Sequence, residues 1–186
     1  MNNYNRQERQ ILLKVVDDVI RFGLETRQIL PIKLEDYPEK LRENDASFVT
    51  LEINKNLRGC IGSLEAYQPL VQDIAHNTYA AAFRDPRFMP LTREEYSSIS
   101  KHISILSKSS PISFSSEEDL LKQIRPGIDG LIISDNDCHG TFLPSVWELL
   151  PEPKLFLQHL KLKAGLSSDY WSKTIKVERY TVEMVE

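Results

Sequence analysis

The sequence predicts an α+β fold, an antiparallel sheet with flanking helices, and three observations predict it. Residues 11–20 carry Ile11, Leu12, Val15, Val16, Val19 and Ile20 at three- and four-residue spacing, the mark of a helix with one apolar face. Two pairs of β-rich runs, 48–53 with 57–61 and 131–133 with 138–142, flank short polar turns and read as hairpins. Helices and hairpins then alternate without a repeating βαβ pattern, which favours antiparallel pairing.

The elements follow in order. Asn5 caps the first helix with Glu8 three residues on, and Gly23 is placed to end it. Residues 25–46 are polar, and Pro31 and Pro38 oppose long regular structure there. Phe48–Ile53 is a strand, Asn54-Lys55-Asn56 a turn, and Leu57–Ile61 the return strand. Alternation along that strand puts Arg58 and Cys60 on one face, with Leu57, Gly59 and Ile61 on the other. Pro69 opens a second helix that runs to about Phe83, and the Pro86 and Pro90 region cannot continue it. Thr92 and Glu95 form a capping box for a short helix. His102–Ser107 is a strand, and Ser115 or Ser116 caps a helix holding Leu120, Leu121 and Ile124. Leu131–Ile133 and Cys138–Phe142 flank the turn Asp135-Asn136-Asp137. Pro144–Trp147 is a short helix, Pro153–Ala164 a longer one stopped by Gly165, and Thr174–Val185 alternates like one long strand.

Composition bounds the function. The 186 residues suffice for a sizeable core without staples, and the chain shows no internal repeat or linker, so it reads as a single domain over 1–186. A net charge of −4 gives no general reason to bind nucleic acid or an anionic membrane. Two cysteines do not make a secreted-type framework, and reduced thiols are the simpler reading. No apolar run approaches the ~20 residues that span a bilayer, and residues 1–6 lack a signal-peptide layout, so a cytoplasmic location is expected.

Chemistry concentrates at Arg58-Gly59-Cys60. A cation near a sulfur stabilises the thiolate that acts as nucleophile or ligand, and Gly59 and Gly62 admit close approach of a backbone or a ligand. Taken alone the tripeptide is better explained by packing, with Cys60 a small buried hydrophobe and the glycines serving a bulge. His139 has the pKa of a general base, but an exposed hairpin histidine explains it as well. Arg84, Asp85 and Arg87 suit either an anionic ligand or internal pairing of the loop. Trp147 at its spacing is more often core than a ligand platform. The four histidines and two cysteines lack metal-ligand spacing, and phosphate loops and nucleophile elbows are absent.

Several segments occur together: Phe48–Leu51, Leu57–Leu64 (LRGCIGSL), Ala81–Phe88 (AAFRDPRF), Ile103–Ser107, Arg125–Gly130, Gly140–Trp147 and Lys163–Leu166. In that order, and across nearly the whole chain, they resemble the AMMECR-one domain family. The resemblance implies two unequal subdomains, the larger with both termini, forming a cleft, and places the functional centre at Leu57–Gly62. It also implies a setting like protein A of the AmmeMemoRadiSam system, beside a Memo-like protein and a radical SAM protein. Two departures stand out: Asn56 where members usually have a turn glycine, and Ser145 where glutamine is common. The candidate catalytic residues are therefore Cys60, Arg58 and His139, in a catalytic or small-ligand site. Candidate ligand contacts are Gly59, Gly62, Ser63, Asp85, Arg87, Phe88 and Trp147. No metal ligand is assigned, and the cofactor is left open. The rival reading is a non-enzymatic module that docks those protein partners through Arg58, Arg87 and Phe88.

Overall fold

A computed structural model describes residues 3–186. The chain divides into two compact units, Met1–Leu106 with Glu183–Glu186, and Ser107–Val182.

The first unit begins with helix α1 (Arg6–Thr26), whose start is fixed by the Asn5–Glu8 capping box. Leu12, Val16, Val19 and Ile20 on its inner face are fully buried, each worth roughly 1.5–3 kcal/mol of apolar transfer. The helix does not stop at Gly23. That residue is a buried interior position, and a Cβ there would lie 2.4 Å from Cε2 of Phe83. The glycine serves the packing of α1 against a second helix, and Arg27, at φ 60°, supplies the left-handed cap instead. Two 3-10 turns, Leu34–Asp36 and Glu39–Arg42, occupy the irregular stretch. Strands β1 (Ala46–Ile53) and β2 (Asn56–Gly62) form the expected hairpin. Its left-handed residues are Asn54 (φ 52°) and Lys55 (φ 64°), the pair a two-residue I′ turn requires, while Asn56 already lies in the strand. Helix α2 (Leu70–Phe83) packs on α1 and on the hairpin. Helix α3 (Arg93–Tyr96) carries the Thr92–Glu95 capping box and leads into β3 (Ile99–Leu106).

In the second unit β4 (Ser110–Pro111), β5 (Gly130–Asp135), β6 (Cys138–Phe142) and β7 (Lys176–Tyr180) form an antiparallel sheet in the order β4-β7-β5-β6. Helix α4 (Glu117–Gln123) is capped by Ser116, and α5 (Pro153–Lys163) ends at Gly165 with φ 85°. The core of this unit gathers Leu120, Leu131, Ile133, Trp147, Phe156 and Leu160. A buried carboxylate, Asp135, receives the hydroxyls of Tyr170, Ser172 and Thr174 and ties β5 to the segment before β7.

The alternating run 174–185 is not one strand. It breaks at Thr181 into β7 and β8 (Val182–Val185), and β8 completes the sheet of the first unit in the order β2-β1-β3-β8. The fold is thus α+β with two four-stranded sheets among the described residues. None of the described helices is long and apolar enough to cross a membrane.

Candidate functional site

The Leu57–Gly62 segment lies on β2, an edge strand of the first sheet. Its pairing with β1 shifts between Leu51 and Glu52: Leu51 faces Gly59 and Glu52 faces Leu57. Arg58 is therefore the extra residue of a β-bulge, where regular alternation is interrupted. Its guanidinium grips Glu95 at both ends, Nε to Oε1 at 2.7 Å and Nη2 to Oε2 at 2.9 Å, and Nη2 also donates to the Met89 carbonyl at 2.8 Å. The Arg58 side chain is 12% exposed. The bonds to Glu95 hold that carboxyl below the usual glutamate range. Glu95 also accepts the Thr92 N–H, so one residue both caps α3 and anchors the bulge.

Gly59, next along, faces α2. A Cβ there would stand 2.2 Å from the Ala81 carbonyl oxygen, so the close approach it permits is that of the α2 backbone. At Gly62 a Cβ would meet the Phe48 ring at 2.2 Å.

Cys60 pairs across the hairpin with Thr50, whose hydroxyl donates to Sγ at 3.3 Å. The cysteine is a free thiol of intermediate exposure. Its backbone is held from outside the sheet. The N–H donates to Asp85 Oδ2 at 2.9 Å, and the carbonyl accepts from Arg87 Nη2 at 3.0 Å. Asp85 and Arg87 are themselves bidentate, with Nε to Oδ1 at 2.9 Å and Nη2 to Oδ2 at 2.6 Å. The Arg87 side chain, first, then the Cys60 and Arg87 backbone N–H groups, hold the Asp85 carboxyl far below its ordinary range against the opposing effect of burial. Asp85 is 1% exposed and Arg87 half exposed. Two guanidiniums lie over the Phe88 ring, Arg58 at 5.7 Å and Arg87 at 5.5 Å from its centre. Beyond it Met89 is 81% exposed, and Leu57 is also exposed.

Ser63 donates its hydroxyl to Asp73, a fully buried carboxylate that also receives the Ser47 N–H and hydroxyl and the Asn77 and Gln68 amides. That network joins the end of β2 to α2. His139 and Trp147 belong to the second unit. His139 is exposed on β6 opposite Ser134. Trp147 is taken into the core, its Nε1–H donating to the Asp129 carbonyl at 2.7 Å and its ring stacked on Phe156 at 3.7 Å. Among the described residues no group of three His, Cys, Asp or Glu is arranged to hold a metal ion.

The geometry thus joins Arg58 to Glu95 and Phe88, and Cys60 to Thr50, Asp85 and Arg87. Thr50, Glu95 and Asp73 were missed by the sequence reading as site residues. Thr50 was reachable from the hairpin register, and Glu95 showed only its capping role. The AMMECR1 family model matches residues 13–185. The chain belongs to the AMMECR1 family. A protein of Thermofilum pendens is 32% identical to this AMMECR1 chain over 99% of it and 92% of the relative. Protein MJ0810 of Methanocaldococcus jannaschii is 37% identical over 83% and 79%. Among solved structures, uncharacterized protein PH0010 from Pyrococcus horikoshii superposes with a TM-score of 0.86 at 30% identity, covering 97% of this chain and 91% of that one.

Proposed function

We propose that this AMMECR1-family chain is an interaction module that docks protein partners through the Arg87-Phe88-Met89 tip. The observation that carries the reading is where the charges go. Arg58 is spent on Glu95 and Arg87 on Asp85, so the motif's cations brace a loop. The result is an aromatic ring with two ion-paired guanidiniums over it, next in the chain to the exposed Met89. Rigid aromatic and arginine anchors are the usual hot spots of interfaces, because little side-chain entropy is lost on docking. The family resemblance nominates the partners, a Memo-like protein and a radical SAM protein. The test is co-purification and calorimetry with each partner, using Phe88→Ala and Met89→Ala. A hot spot of about 2 kcal/mol would weaken association about 30-fold. Unchanged association in both variants would exclude this surface.

A second reading is supported by one observation: Cys60 is a free cysteine of intermediate exposure, and its sulfur is hydrogen-bonded only to Thr50 among the described residues. In it Cys60 is a nucleophile or ligand contact. Limited iodoacetamide labelling read by mass spectrometry separates the two. A rate at Cys60 no faster than a model thiol removes the activated nucleophile, and Cys60→Ser with partner binding kept but cellular function lost favours thiol chemistry.

A further inference from the structure

Away from the motif, the first unit holds a surface cavity of about 670 Å³ between the end of α1 and one face of α2. That is within the size range of small-molecule sites. Arg27, Gln28 and Ile29 form one side, and His76, Asn77 and Arg84 are among the residues of the other. In a chain with more acidic than basic residues, no carboxylate lines it. Neither Arg27 nor Arg84 has a carboxylate partner among the described residues, unlike Arg58 and Arg87.

The walls are fixed in place. The Tyr79 hydroxyl donates to the Arg27 carbonyl at 2.7 Å, which holds the left-handed cap of α1 against α2. The Arg84 guanidinium lies over the Tyr79 ring at 5.1 Å. A guanidinium held over a ring by its cationic centre still has N–H donors to offer a ligand. Asn77 is 7% exposed, and its Nδ2 donates to the Ser47 carbonyl at 3.0 Å and to Asp73 at 2.9 Å. The amide orientation is thereby set, and Oδ1 is left as an acceptor without a protein partner among the described residues. Both arginines cap helix C-termini, where the backbone carries roughly half a negative charge each. Two full positive charges outweigh this, and the cavity remains cationic.

We propose that this cavity binds a small metabolite carrying a carboxylate or phosphate group together with a hydrogen-bond donor. The oxyanion is held by Arg27 and Arg84, and the donor faces Asn77 Oδ1. The test is amide-resolved NMR titration of the full chain with succinate, inorganic phosphate and O-phosphoserine in turn. Saturable shifts at Gln28, Ala80 and Arg84 are expected with at least one probe. Succinate against phosphate decides which oxyanion is preferred, and phosphoserine adds the donor. The double variant R27A/R84A should weaken binding about 10- to 100-fold, the worth of a charge-assisted hydrogen bond. K55A, in the hairpin turn, should leave it unchanged. No saturable shift with any probe at millimolar concentration, or equal affinity in the double variant, overturns the proposal.

Discussion

At Cys60 the N–H and C=O of β2 point away from β1, so they need partners beyond the sheet. Asp85 and Arg87 provide both, acting at that one position as a neighbouring strand would. An unmatched edge is a template for wrong pairing, and a charged cover suppresses it. Asp85→Asn keeps the shape but loses the carboxylate that collects four donors, and a loss of about 1–3 kcal/mol is expected in urea denaturation. The pH dependence has a definite sign. Asp85 and Glu95 are both held below their ordinary values in the folded chain. Their contribution is complete above the ordinary carboxylate range, near pH 4, and is lost as pH falls through the folded-state values. The thermal midpoint should therefore drop on acidification below about pH 4, and the double variant Asp85→Asn with Glu95→Gln should show a lower but flatter acid limb. Gly59→Ala sets a methyl against a helix carbonyl that has little room to yield. A cost of about 1–3 kcal/mol or more follows, whereas Cys60→Ser should change stability little, since a serine hydroxyl keeps the Thr50 bond.

Among elements, the β1–β2 hairpin was legible because its signals are local: β-rich strands and Asn at a turn. Lys55 is the exception within it, holding a left-handed conformation that suits glycine. Lys55→Gly should raise stability by about 1 kcal/mol, read as a higher denaturation midpoint. The end of α1 was misread because Gly23 looks the same whether it caps a helix or admits a ring from another one. Only Phe83, distant in sequence, distinguishes the two. The division of 174–185 was hidden for a similar reason: alternation runs through Thr181, and the change of sheet is decided by partners elsewhere. The grouping of the candidate site's residues was half legible. Residue types in the Leu57–Gly62 and Arg84–Phe88 segments marked it, and the family resemblance joined them. The Arg58–Glu95 pair spans 37 residues and carries no periodic signal, so it could only emerge from the folded chain.

At the scale of the molecule, the described residues form two hydrophobic clusters, one in each unit. Both tryptophans, Trp147 and Trp171, belong to the second. Tryptophan emission therefore reports that unit, while far-UV circular dichroism reports both. Gly59→Ala should lower the dichroism midpoint and leave the emission midpoint in place if the cores melt separately. Equal shifts by both probes would show a single cooperative transition. The placement of β8 also orders events on the ribosome. The sheet of the first unit takes its fourth strand from residues that follow the entire second unit in the chain. During synthesis β3 must wait, one edge bare, until about 76 further residues have been added, several seconds at ordinary elongation rates. A nascent chain paused anywhere in that interval presents an open strand edge, and that is the stage at which a chaperone or a companion protein has the most to cover.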